Sequence, residues 1–326
     1  MPSPSSSLAT LRPDIAESFV EFDLEANMGG FVATEVFPVV EVQSQAGNFG
    51  KIPIEQLLQG RDTKRAPGAG YGRGNYKFET ATYATEEHGA EEPVDDREKE
   101  MYAEYFDAEV IAGMRARSAV MINAEQRVAD AVFNTATWTG ASLTTVITHE
   151  WDDAVNAVPI TDVEAAVQNI WDGSGLWANA LVINRKVFRN LRNSEQVIER
   201  INSAGAGNPS KPSDVTVAML QAVFDLPYII VAGGAKNAAK EGQSVSVSQV
   251  WSDEYAMVCK VATGRDFREP CIGRTFHWSA DGSLIGGTVE SYRDETVRAD
   301  IIRVRHDVDE LVLYPQAGHL LSNITT

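Results

Sequence analysis

Five histidines, His88, His149, His277, His306 and His319, are the side chains of this 326-residue chain best suited to moving protons near neutral pH. A metal-binding or catalytic pair needs a defined spacing, such as the i, i+4 step that sets two imidazoles on one helix face. No two of the five stand at that spacing. His306 lies among the alternating charges Arg303, Arg305 and Asp307 and reads as structural. Cys259 and Cys271 are the only thiols, with eleven residues between them. That is neither a zinc nor a redox spacing, and two buried thiols are expected. The run Gly68-Ala69-Gly70-Tyr71-Gly72-Arg73-Gly74 could cradle a phosphate with its backbone N–H groups. It does not fit, because Arg73 and Asn75 stand where the third glycine of a dinucleotide loop would fall, and no Gly-Lys-Ser/Thr run follows. No G-x-S-x-G nucleophile elbow occurs. The acids between Glu86 and Glu100 lack the regular oxygen spacing of a calcium loop. The tryptophans are dispersed, which suggests no stacking platform. No catalytic, cofactor-binding or metal-binding residue is therefore expected, and the chain does not read as an enzyme.

What remains is charge. The chain has 28 basic and 46 acidic residues, a net of −18. This argues against a dedicated nucleic-acid surface, where affinity comes from neutralising phosphates. It suits a protein that stays soluble at high concentration or must not grip DNA beside it. The distribution is uneven. Six basic residues (Lys51, Arg61, Lys64, Arg65, Arg73 and Lys77) face two acidic ones (Glu55 and Asp62) between Lys51 and Lys77. Between Glu86 and Glu100 eight acids, among them Glu91, Glu92, Asp95 and Asp96, face only Arg97 and Lys99. A basic flap beside an acidic stretch suggests that flaps meet acidic surfaces on neighbouring copies.

The elements that position these charges follow from pattern. A Ser- and Pro-rich start, residues 1–15, should be mobile, and 17–28 could hold a short helix. Phe31 to Val42 reads as a strand, bent or at an edge because of Pro38. Gln43 to Tyr76 is too long and glycine-laden for a routine connection. The alternating Tyr76 to Thr85 reads as a strand. From Pro93 to Phe133 apolar residues recur at helical spacing, which predicts one helix about 60 Å long with Gly113 as its weak point. Such a rod serves as a strut for other elements. Thr161-Asp162-Val163-Glu164 is a capping box, and the helix behind it carries Val163, Ala166, Val167, Ile170 and Trp171 on one face until Gly173. A strand at 180–183, helical residues 185–201, a loop at 205–212, a helix at 216–224 and a strand at 228–231 make a compact α/β unit. The last third is strands: 255–261, 274–278, 287–292, 297–305 and 311–313. There Arg303, Arg305 and Asp307 form a charged outer face of the kind found at subunit contacts. No apolar run is long enough to span a bilayer, and no secretion signal opens the chain, so synthesis in the cytosol is expected.

This order resembles the major capsid proteins of tailed bacteriophages, whose fold is called Hong Kong 97-type. Val250-Trp251-Ser252-Asp253-Glu254-Tyr255-Ala256-Met257-Val258 followed by Gly273-Arg274-Thr275-Phe276-His277-Trp278 is similar to a segment of that family. So are the closing stretch Arg298 to Ile324 and the stretch Ala180 to Ile201. The resemblance implies an α+β fold with an N-terminal arm (1–46), an extended loop (47–84), a peripheral domain with the spine helix (85–150), an axial domain (151–250) and terminal strands of the peripheral domain (251–326). It implies a shell subunit, assembled as hexamers and pentamers into an icosahedral capsid around double-stranded DNA, built in the bacterial host cytoplasm and residing in the virion. A fused scaffold segment is expected to be absent, which calls for a separate scaffolding protein, with a portal and a decoration protein as further partners. Covalent cross-linking through Lys51, Lys64 or Lys77 is not expected. The alternative is an encapsulin-like nanocompartment enclosing cargo enzymes. The residues expected at contacts between copies are Lys51, Arg61, Lys64, Arg65, Arg73, Glu91, Glu92, Asp95, Asp96, Arg303, Arg305 and Asp307.

Overall fold

The computed structural model describes residues 10–11, 30–51, 53–54, 58–60, 63–74, 77, 79–102, 107–203, 214–240, 242–244, 246–264, 266 and 269–326. In chain order the elements are β1 (Thr10–Leu11), α1 (Ala33–Val36), β2 (Val39–Val42), β3 (Ala46–Lys51), β4 (Glu79–Ala84), β5 (Glu86–Asp95), α2 (Asp96–Tyr102), α3 (Ala108–Val132) and β6 (Thr144–Val146). Then follow α4 (Pro159–Ser174), β7 (Ala180–Asn184), α5 (Arg185–Leu191), α6 (Glu195–Ser203), α7 (Val217–Phe224), β8 (Tyr228–Ala232), β9 (Ala235–Asn237) and β10 (Val247–Gln249). The chain closes with β11 (Tyr255–Cys259), β12 (Gly273–Trp278), β13 (Thr288–Asp294), β14 (Ala299–Val312) and β15 (Gly318–Ser322).

Two sheets carry the architecture. The first is ordered β1-β13-β14-β12-β2, with β5 also paired to β14. Its axis is the 14-residue β14, which the sequence divides into two strands. Residues 306–310, left between the two predicted strands, continue β14, with His306 and Asp307 buried and paired to His88 and Glu87 of β5. The second sheet is ordered β6-β15-β11-β7-β8. Its central strand β7, Ala-Leu-Val-Ile-Asn, is buried at all five positions. Alternation then sends Leu181 and Ile183 into one core and Ala180 and Val182 into another. The first core lies under α4 to α7, with Trp151, Val163, Leu191 and Leu220 in it. The strands of this sheet come from both sides of residue 250, since β11 and β15 pair beside β7.

The helix α3 joins the two sheets. Ala112, Ala116 and Val120 pack with Val94, Val289, Ile302 and Val304 of the first. Val128, Ala129 and Val132 pack with Val182, Met257 and Leu320 of the second. Gly113, the expected weak point, is buried within α3. The helix is shorter than the sequence pattern predicts. Residues 93–95 belong to β5, α2 begins at Asp96, and α3 begins anew at Ala108 behind the N-cap Asp107, whose carboxylate accepts from Glu109 N. Its 25 residues span about 37 Å rather than 60. Pro93 starts no helix. It sits opposite Ile301 in an edge strand, where a missing donor costs nothing.

Other expectations shift locally. Phe31 to Val42 divides into α1 and β2. The 161–164 capping box is not used: α4 starts two residues earlier at Pro159 and ends at Gly175, φ 67°, not at Gly173. Residues 185–201 form two helices, α5 and α6, instead of one. The predicted helix at 17–28 and the loop at 205–212 lie outside the described residues. Cys259 and Cys271 are buried and free, and burial pushes both thiols up.

Candidate inter-subunit surface

The strands β3 and β4 pair antiparallel from Ala46↔Ala84 to Lys51↔Glu79, forming a hairpin whose far end carries the basic residues. Its base is held by aromatic stacking. The rings of Tyr83 and Phe276 lie 4.9 Å apart and nearly parallel, and Phe49 stacks on Phe276 at 5.7 Å. Gly47 is required there, because a Cβ would come within 2.7 Å of Tyr83 Oη. Lys51 Nζ donates to Leu313 O at 2.5 Å and lies over the Tyr314 ring. Ala84 N donates to Asp309 Oδ2 at 2.9 Å. Beyond these anchors Ile54 is buried and Leu58 touches the end of α4 at Gly175, and every residue from 63 to 74 is exposed.

The basic residues of the tip differ in role. Arg65 folds back on its own turn, donating from Nε to Ala69 O at 2.6 Å, with its guanidinium over Tyr71. Lys64 and Arg73 are exposed. Arg61 lies outside the described residues. Lys51 belongs to the base.

The expected acidic partners are strand residues. Glu91 faces Arg303 across β5 and β14, with 3.8 Å between charged atoms, and accepts from Tyr292 Oη. Glu92 pairs with Arg115 at 3.6 Å. Asp95 Oδ1 accepts from Arg97 N and so caps α2. Asp96 receives both arms of Arg293 at 2.6 and 2.7 Å, and this hydrogen bonding holds its carboxyl below the usual range. Arg303 and Arg305 share Glu290; Arg305 also reaches Asp281 at 2.5 Å and Asp307 at 3.3 Å. Burial pushes Glu290 up, but its bonds to Arg305 and Arg303 outweigh that and leave it lowered. Asp307 is raised, by burial first and then by Asp281 and Glu87. These acids and arginines are thus brought together within one chain, and Arg305 and Asp307, expected on a charged outer face, are instead buried among their ion-pair partners.

Little chemistry is available. Among the described residues no group of three or more His, Cys, Asp and Glu could hold a metal ion. A cavity of about 260 Å³ under α3 is lined mainly by apolar atoms, with Glu125 and His306 in its wall. Both have committed partners. Glu125 accepts from Val32 N, Ala33 N and Trp251 Nε1, and His306 Nδ1 faces Ile285 O at 3.2 Å. No described helix is long and apolar enough to cross a membrane.

One surface was not anticipated. Trp171 and Trp177 meet edge to face at 5.7 Å and both stand largely in solvent. Five apolar positions at helical spacing place Trp171 on the buried face, but that stripe is Ile160, Val163, Ala166 and Ile170, and Trp171 lies at its margin. Two tryptophans six residues apart, flanking a helix-ending glycine, were the available signal.

No family model matches the chain, and no curated protein matches it. Solved structures do. The chain is similar to a phage-related protein from Bordetella bronchiseptica RB50, at 22% identity and TM-score 0.66, covering 97% of this chain and 98% of that one. It is similar to the capsid protein of cyanophage P-SCSP1u, at 14% identity and TM-score 0.57, covering 88% and 86%. A virus-like particle from Pyrococcus furiosus gives 14% identity and TM-score 0.54, covering 92% and 95%. The fold is therefore the α+β, Hong Kong 97-type capsid fold expected from the order of elements.

Proposed function

We propose that this chain, built on the Hong Kong 97-type capsid fold, is the major capsid protein of a tailed phage. It assembles through hexamers and pentamers into an icosahedral shell around double-stranded DNA. The observation that carries this reading is the β3–β4 hairpin, anchored at its base by Phe276 and exposed throughout 63–74. An exposed, glycine-rich, basic tip gains contacts when neighbours supply a surface. Closed shells use such head-to-tail contacts, which must close by symmetry. In this reading 1–46 is the arm, 47–84 the extended loop, 85–150 and 251–326 the peripheral domain, and 151–250 the axial domain. Arg61, Lys64, Arg65 and Arg73 meet acidic surfaces on neighbours, Lys51 fixes the base that carries them, and Glu91, Glu92, Asp95, Asp96, Arg303, Arg305 and Asp307 lie at or support those contacts.

The net charge of −18 fits a wall that encloses DNA without gripping it. A separate scaffolding protein, a portal and a decoration protein are the proposed partners; the virion is the proposed location. The chain acts structurally and not as an enzyme.

Electron microscopy of the expressed chain tests this. Closed shells of uniform diameter, or capsomers, are expected; a monodisperse small oligomer overturns the reading. Native particles filled with protein instead of DNA would favour the encapsulin-like alternative.

A further inference from the structure

The helix α4 ends at Gly175, whose N–H returns to Trp171 O at 2.8 Å in a left-handed cap. The cap needs glycine for its backbone, and it also leaves a bare notch. A side chain from the hairpin fills that notch. Leu58 Cδ1 lies 2.9 Å from where a Cβ of residue 175 would stand. Leu58 belongs to a turn closed by its N–H on Ile54 O at 3.1 Å. Trp171 and Trp177 flank the notch in sequence.

This contact is formed but incomplete. Leu58 remains 63% exposed, Trp177 56% and Trp171 47%. Two touching tryptophan rings beside a notch have the composition of an interface centre, where tryptophan is enriched. The hairpin is pinned at its base, through Phe49, Lys51 and Tyr83, and further along by the buried Ile54 and by Leu58. Leu58 lies seven positions beyond Lys51, enough for a reach of about 24 Å when extended. An element held this way is readily exchanged between identical chains.

We propose that the Trp171–Gly175–Trp177 corner is the seat for the Ile54–Leu58 turn of a second copy. In the assembled shell the leucine of one hairpin moves from its own Gly175 to that of its neighbour. The two tryptophans then close over the incoming turn and leave solvent. The basic stretch beyond Leu58 is carried past the seat onto the neighbouring body. This inference rests on the shell reading and names the surface that receives the loop.

Leu58, being exposed, tolerates replacement by the photoreactive p-benzoylphenylalanine. Particles assembled from equal amounts of light and 15N-labelled chain are irradiated, and cross-linked peptides are weighed. The expected product joins residue 58 to the peptide containing 171–177, with about half of the cross-links of mixed isotope. Cross-links of unmixed isotope only, or to another site, overturn the exchange while leaving the shell reading intact. The Trp171→Ala/Trp177→Ala double variant gives a second measure that does not depend on the probe. It is expected to keep its circular dichroism spectrum and to lose at least tenfold in particle yield. Normal yield from that variant overturns the proposal. If the unaltered chain forms no particle, the shell reading itself has failed.

Discussion

Glu125 Oε1 accepts the indole N–H of Trp251 at 2.6 Å, across 126 residues of sequence. The same carboxylate accepts Val32 N and Ala33 N at 2.8 and 2.9 Å, which are the first free donors of α1. A helix with no capping side chain of its own is thereby capped from α3. One buried group ties together the start of α1, the helix α3 and the segment before β11. Burial pushes the Glu125 pKa up, the three donors pull it down, and the net direction is up.

Replacing Glu125 by alanine strands three donors at once. Glu125→Ala is expected to cost about 3 kcal/mol, since each buried donor left unpaired costs about 1 kcal/mol or more. Glu125→Gln keeps an acceptor oxygen and should cost less. Urea unfolding of the unassembled subunit checks the order; equal stability of the alanine variant and the parent would show that the clamp contributes nothing.

His306 makes the fold sensitive to acid. Burial lowers its pKa most, the bond to Ile285 O opposes, Arg127 lowers it further, and the result is about 4. Arg127 also makes a two-pronged pair with Glu310, and the His88 ring lies edge-on at 6.0 Å. The folded pKa lies below the unfolded value of about 6.5, so the unfolded chain binds the proton first on acidification. This contribution is complete above about pH 7 and is lost as pH falls from about 6.5 towards 4, by about 3 kcal/mol at most. Thermal melts should show His306→Gln less sensitive than the parent across that window. Parallel pH profiles would assign the acid response elsewhere.

Two glycines at positive φ should respond differently to alanine. Gly287, φ 91°, would place its Cβ 2.6 Å from Val304 Cγ1 in the core between α3 and β14. Gly282, φ 83°, has nothing within 4 Å. Gly282→Ala should cost about 1 kcal/mol for the backbone alone, and Gly287→Ala about 2 kcal/mol or more because Val304 must also move. Matching melting temperatures for the two would contradict the close approach.

Reversing charge at Arg61, Lys64 and Arg65 together should impair assembly and leave the subunit folded. Exposed charges away from packing change stability by only about 0.5 kcal/mol. Particle yield by microscopy, set beside the melt of the unassembled subunit, separates the effects. Full yield would argue against a basic flap.

Taken alone, the sequence determined the order of elements, the buried strand β7, the helix α7, the glycine-rich hairpin and the absence of a catalytic motif. Those features are written in local periodicity and in turn residues, which report burial wherever an element packs on one side. Only the tertiary structure decided that Glu86 to Asp95 is a strand. Its acids and Pro93 have poor strand propensity, and pairing with the arginine-bearing β14 overrides it. It decided likewise that Glu125 caps a helix 92 residues away and that Leu58 finds the notch at Gly175. Contacts between residues so distant in the chain leave no period to read, because each partner's local pattern is satisfied without the other.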